Sequence, residues 1–177
     1  FDLGLNFKMA NMTPGVFFIY STGDDDDPSN GSERMPSMGG TMTATSFIFD
    51  GGAANIDDWP GAALLGGYDS TPGMWMLGAQ IADATFIKGL THTLRVAYGK
   101  GTNDGDLINK GLMADKGLTD KDSFWEVNFD HSYALYENLT AYVETGWVKL
   151  DLSEDYDRHS NGWLNTAKTS ETQDAWK

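Results

Sequence analysis

Apolar residues occupy every odd position from Phe1 to Met9, with Asp2, Gly4, Asn6 and Lys8 between them. This is the period-two signature of a strand with two unlike faces, and it predicts a first strand over 1–9. Asn11, Pro14 and Gly15 supply turn chemistry, after which an apolar extended run predicts a second strand over 15–21 and a short hairpin between the two. The same texture returns in two further hairpins. Strands are predicted over 74–87 and 91–99 about Lys88-Gly89-Leu90, and over 123–133 and 139–152 about 134–138, with another strand starting at Ala175.

Between the hairpins the texture changes. Residues 22–73 carry Asp24, Asp25, Asp26, Asp27, Pro28, Pro36, Gly39, Gly40, Gly51, Gly52, Pro60 and Pro72, which predicts a long irregular loop. Within it, 45–49 is a short extended candidate, and 59–65 is an apolar patch suited to folding inward or forming a helical turn. Residues 100–122 and 153–174 are further long polar loops, rich in Gly, Asn and Asp. The chain reads as one unit, 1–177.

Pairing the third hairpin about Tyr136 sets Trp125 opposite Trp147, Val127 opposite Thr145, Phe129 opposite Val143 and His131 opposite Ala141. The other face then holds Glu126, Asn128, Asp130 and Glu144, so both strands agree on which side is apolar. A second hairpin centred on Gly89 pairs Asp83 with Arg95, but it also puts Gln80 against Tyr98, and this mismatch predicts a bulge or register slip.

Connections alternate short and long along the chain, so all the tight turns lie at one end of the strands and all the long loops at the other. That alternation, with strands of about ten residues, predicts an antiparallel transmembrane β-barrel, because lipid offers no partners to a free sheet edge. Tyr20, Trp75, Phe86, Tyr98, Trp125, Tyr133, Tyr136 and Trp147 fall near strand ends, where aromatic girdles sit at the membrane interface. Alternation alone also suits a secreted or cell-surface β-sandwich that binds carbohydrate or calcium. The two readings differ on Trp125, Phe129, Val143 and Trp147, which pack between stacked sheets in a sandwich and lie on the outer wall of a barrel.

Composition narrows the functions. The formal charge of −14, with 12 basic against 26 acidic residues, argues against a nucleic-acid partner and favours cations. Cysteine is absent, which removes disulfides, thiolate nucleophiles and thiolate zinc sites. No run of about 18 apolar residues is present, so a membrane-spanning helix is not expected. A chain that starts at Phe1, inside an alternating segment, suggests a mature, processed or truncated start.

Phe17-Phe18-Ile19-Tyr20-Ser21-Thr22-Gly23-Asp24-Asp25 with Gly31-Ser32-Glu33-Arg34-Met35-Pro36 resembles the C-terminal part of the trimeric outer-membrane porins of sulfate-reducing bacteria. So do Ser123-Phe124-Trp125-Glu126-Val127 and Leu139-Thr140-Ala141-Tyr142-Val143-Glu144-Thr145-Gly146-Trp147. The resemblance implies a closed barrel of about sixteen strands, a homotrimer in the bacterial outer membrane, and passive diffusion of ions and small hydrophilic solutes. The six full strands and the start of another in this chain are fewer than a barrel needs, and no terminal strand ending in an aromatic residue is present. The chain is therefore expected to be part of a larger barrel, in contact with outer-membrane lipid and lipopolysaccharide.

Asn6, Lys8, Arg95, Glu126, Asn128, Asp130 and Glu144 are the candidate pore-lining residues, the acidic ones favouring cations. The run Asp24, Asp25, Asp26, Asp27 is a candidate for Ca²⁺ or for divalent-bridged contact with lipopolysaccharide. It lacks the alternate-position spacing of an EF-hand, and solvated loop charge is the favoured account. No other cofactor is expected. Glu126, Asp130 and Glu144 offer carboxylate spacings that a glycosidase could use, but alternation on a strand produces these by accident. His92, His131 and His159 are scattered and lack metal-ligand spacing. Gly99-Lys100-Gly101-Thr102 lacks the spacing of a phosphate loop. The triplets Asn30-Gly31-Ser32 and Asn138-Leu139-Thr140 are chance glycosylation matches. No nucleophile and base form a set, so no enzyme is expected.

Overall fold

A computed structural model describes residues 1–27, 29–35, 44–49, 73–110, 118–153 and 173–176. The apolar patch at 59–65, His159 and most of the last connection lie outside these residues. The described chain is all-β apart from one helical turn. Its elements are β1 (Asp2–Asn6), β2 (Thr13–Tyr20), β3 (Met74–Ile87), β4 (Leu90–Gly101), α1 (Asp106–Asn109), β5 (Ser123–Tyr136), β6 (Leu139–Asp151) and β7 (Gln173–Trp176). The strands form a single antiparallel sheet in sequence order, each hydrogen-bonded to its chain neighbours. Turns of two residues join β3 to β4 and β5 to β6, so short and long connections alternate as the turn signals predict.

Two details differ from the sequence expectation and a third meets it, each for a local reason. The regular ladder of β1 stops at Asn6 rather than running to residue 9. Phe7 N donates to the Pro14 carbonyl at 2.8 Å, but Pro14 has no N–H to return, and the tip is held by Met9 N to Met12 O and by Thr85 N of β3 to Asn11 O, both 2.9 Å. In β3 the expected bulge is present. Register shifts between Ile81 and Ala84, and again before Ile87, place Arg95 opposite Gln80 and Tyr98 opposite Leu77. Like then faces like, and Asp83 takes up the kink at φ 54°. In the third hairpin the turn tightens to Glu137 and Asn138, with a bulge beside Ala134. Trp147 therefore faces Val127, and Glu144 faces Asp130. This is a slip of two residues from the expected register, and a period of two leaves every side chain on its expected face.

The registers assemble into continuous rows. On the inward face one row runs Asp2, Ile19, Met76, Gly99, Phe124, Leu150, and the next runs Gly4, Phe17, Gly78, Ala97, Glu126, Val148. A third runs Asn6, Gly15, Gln80, Arg95, Asn128, Gly146. Large residues stand opposite glycines: Phe17 lies on Gly78 and Phe124 on Gly99, so closely that an added Cβ would come within 2.1 and 2.3 Å of the ring. Alternating large and small partners lets the side chains interdigitate on this covered face.

The core is one-sided. Ile19, Met74, Met76, Ala97, Phe124, Val148 and Leu150 all point inward, and Phe47, Ile48 and Phe49 of the second connection lie on top of them. The outward face carries Leu3, Leu5, Val16, Leu77, Ile81, Leu94, Val96, Trp125, Phe129, Tyr133 and Val143, all exposed. Trp125 (47%), Phe129 (46%) and Val143 (56%) are not enclosed between two sheets by any described residue, and Trp147 is only partly buried.

The glycine contacts are testable. Gly99→Val should destabilise the fold by about 1–3 kcal/mol through forced displacement of Phe124. Gly4→Val, where the added carbon meets open space, should stay within about 0.5 kcal/mol of the parent. Urea unfolding followed by tryptophan fluorescence separates the two.

Candidate functional site

The inward face changes character along the strands. Near the long-loop end it is apolar, and toward the tight turns it becomes polar, through Glu126, Asn128, Asp130 and Glu144 with Arg95, Gln80 and Asn6. The alternation of β5 makes this possible, since Glu126, Asn128 and Asp130 occupy consecutive inward positions.

Residues 44–49 lie across this boundary. The extended run expected at 45–49 is not a strand. Its polar groups turn to side chains of β5 instead of to a sheet edge. Thr45 Oγ1 donates to Glu126 Oε2 at 2.7 Å, and the Phe47 and Ile48 amides donate to Glu126 Oε1 at 2.9 and 3.3 Å. Asn128 Nδ2 adds a fourth donor at 2.8 Å. The Ser46 amide donates to Asn128 Oδ1 at 3.2 Å, and Ser46 Oγ to Asp130 Oδ1 at 3.1 Å. Removing a carboxylate from water is strongly unfavourable unless it is hydrogen-bonded, and these four donors replace the hydration of Glu126. Gly146 leaves room beside it for the Phe47 ring and the Asn128 amide.

The candidate pore-lining residues thus divide. Glu126 and Asn128 point inward as expected but are fully buried, and they hold the covering segment rather than meeting solvent. Arg95 donates to Asp130 at 3.0 Å, with their side chains 17% and 8% exposed. Glu144 stands directly opposite Asp130, half-buried. Asn6 accepts from Gln80 Nε2 at 3.0 Å at the far end of the row. Lys8 lies beyond the last residue of β1, in the exposed turn, and takes no part in the row. Sequence reasoning missed Thr45, Ser46 and Gln80. The hydroxyl pair stood inside a run that looked like a short strand, and Gln80 was hidden because the sequence does not locate the bulge, which falls between Ile81 and Ala84.

Of the candidate aromatic girdle, Tyr20, Trp75, Tyr98 and Trp125 form a diagonal outward cluster at the long-loop end. Tyr20 pairs with Trp75, whose ring centroid is 5.6 Å from Tyr98, and Tyr98 is 4.9 Å from Trp125. Trp147 continues outward on β6, opposite Val127. Phe86, Tyr133 and Tyr136 lie at the tight-turn end, all exposed.

The long connections are tied together where they leave the sheet. Buried Asn103 donates to the Gly73 and Leu118 carbonyls (3.3 and 2.8 Å) and accepts from the Asp24 amide (3.2 Å). Buried Asp122 accepts from Thr119 and from the Ser153 amide. The acidic run is mostly engaged with its own loop. Asp24 accepts from Ser32 Oγ and the Glu33 amide, Asp25 from Asn30 and the Asp27 amide, and Asp27 from Ser29. Asp26 pairs with Lys110. The Ser32 hydroxyl, with the Glu33 amide and the charge of Arg34, holds the Asp24 carboxyl below the usual aspartate range. Among the described residues no group of three or more His, Asp or Glu side chains is arranged to hold a metal ion.

Fold and site together define an all-β protein on a single antiparallel sheet, with a loop segment seated across the apolar and polar halves of one face. Comparison with protein-family models, curated proteins and solved structures finds no match to this chain.

The clamp on Glu126 predicts a measurable release. In Glu126→Ala the Thr45 hydroxyl and the Phe47 and Ile48 amides lose their acceptor, at about 1–3 kcal/mol for each buried donor left unpaired. Hydrogen exchange at the Phe47 and Ile48 amides should accelerate at least about tenfold, and less in Glu126→Gln, which keeps one carbonyl acceptor. Unchanged exchange would show that the apolar contacts alone hold the segment.

Proposed function

We propose that this chain forms part of the wall of a bacterial outer-membrane porin, a water-filled channel for passive diffusion of ions and small hydrophilic solutes, with a preference for cations. One observation carries the reading: the sheet leaves a continuous apolar face exposed and covers the other, which is apolar only near the long loops and carries Glu126, Asp130 and Glu144 toward the tight turns. In a soluble β-sandwich the order is reversed, and a monomer rarely leaves so continuous an apolar surface to water. Here Leu3, Val16, Leu77, Leu94, Phe129 and Val143 extend it across six strands.

The depth of that surface suits a bilayer. Trp125 and Tyr133 bound it on β5, about 27 Å apart at the ordinary strand rise of about 3.4 Å per residue. At a tilt of about 35–45° this projects to roughly 20 Å, close to the apolar band of about 25 Å on outer-membrane barrels. The edges of the sheet at β1 and β7 would be closed by further strands, since unpaired backbone is not tolerated in lipid. Residues 44–49 would narrow the lumen from the loop side, leaving Arg95, Asp130 and Glu144 beside the water path. Lipid, lipopolysaccharide and two further copies of the same protein are the proposed partners.

Two measurements test the reading. The complete protein reconstituted in a planar bilayer should conduct ions and show a reversal potential favouring cations; a preparation that conducts nothing removes the porin proposal. Leu94→Arg, midway along the outward face, should weaken insertion into lipid vesicles by about 2–4 kcal/mol, whereas Thr93→Arg on the inward face should have little effect. If both variants stay soluble and folded without detergent, the carbohydrate-binding sandwich is the better account.

A further inference from the structure

His92 and His131 lie in different hairpins, yet β4 and β5 place them directly opposite each other on the outward face. Their Nδ1 atoms are 2.6 Å apart, and the rings stand nearly perpendicular, with centroids 4.8 Å apart at 87°. Two ring nitrogens at that separation form one hydrogen bond, and both rings pack against Phe129. The phenyl ring is 4.3 Å from His131, edge to face, and 5.9 Å from His92, stacked. Both imidazoles are half-buried in an otherwise apolar surface, near the tight-turn end of the sheet. The channel reading makes no use of them.

We propose that this cross-strand imidazole pair binds a divalent copper or nickel ion, held by both Nδ1 atoms as adjacent ligands; the hydrogen-bonding proton leaves Nδ1 and is taken up at Nε2 of the same ring, so both rings ligate as neutral imidazoles. Metal–imidazole bonds are about 2.0–2.1 Å long. Two such ligands at a right angle stand about 2.9 Å apart, and at a tetrahedral angle about 3.4 Å, so square-planar geometry needs the smaller opening from the present 2.6 Å. Tetragonal nitrogen sites select Cu²⁺ and Ni²⁺, and Cu²⁺ stands highest in the divalent affinity order. The Phe129 face beside the rings favours added positive charge. No third protein ligand completes the site among the described residues, and the pair lies two residues from Tyr133 at the interfacial rim of the proposed membrane band, where water reaches the remaining positions.

Electron paramagnetic resonance on the full chain, folded in detergent with one equivalent of copper(II) chloride, tests this. The wild-type spectrum should show two equatorial imidazole nitrogens. His92→Phe and His131→Phe should each leave at most one and lower copper affinity at least about tenfold, a loss already typical when an outer partner of a metal ligand is removed. His159→Ala should change neither. A wild-type spectrum without two imidazole nitrogens, or affinity unchanged in the His92→Phe/His131→Phe double variant, overturns the proposal. The wild-type spectrum decides the matter even if a variant misfolds. Since the pair lies on the face opposite Arg95 and Asp130, either outcome leaves the conductance test independent.

Discussion

Everything in this sheet depends on keeping the pleat in phase from β1 to β7. A strand sends alternate side chains to opposite faces, so an error of one residue at any junction would turn Trp125 or Phe129 inward and Glu126 outward. The irregularities fall where they protect that phase. Bulges at Ile81, Ala84 and Ala134 absorb extra residues near the tight turns, and the long ladders beyond them stay regular. Asp83, forced to positive φ, is the local strain that accompanies the correction in β3.

Once the faces are separated, the inward one must solve a harder problem than the outward one. Apolar residues on the outward side need only an apolar surrounding. The inward side carries a carboxylate, an amide, a second carboxylate and a guanidinium within a few residues, and each needs partners. Segment 44–49 supplies them for Glu126, Asn128 and Asp130 while its phenylalanines and Ile48 cover the apolar rows above. Polar and apolar contacts thus select the same position for the segment. The mixed character of the segment, two hydroxyls followed by Phe47, Ile48 and Phe49, matches the boundary on which it lies.

The same division of labour extends to the sheet ends. Asn103 and Asp122 give the departing connections a common anchor, so the loop end is held by buried side-chain hydrogen bonds and the turn end by two-residue turns. The acidic run beside that anchor spends most of its acceptors on neighbouring hydroxyls and amides. Its charge is therefore better understood as loop structure than as a metal site.

Strand positions, the polarity of each face and the alternation of connection lengths were legible in the sequence by itself, because each rests on periodicity and turn chemistry within about ten residues. Even the misplaced centre of the third hairpin kept Trp125 and Glu126 on their correct sides, since a two-residue slip preserves the pleat. Which residues meet across the long connections was decided only by the tertiary structure. Arg95 with Asp130, His92 with His131, and Thr45 with Glu126 are separated by 35, 39 and 81 positions along the chain. No local pattern carries register across a polar loop, so these contacts arise only when neighbouring strands align and a connection returns to the face it covers.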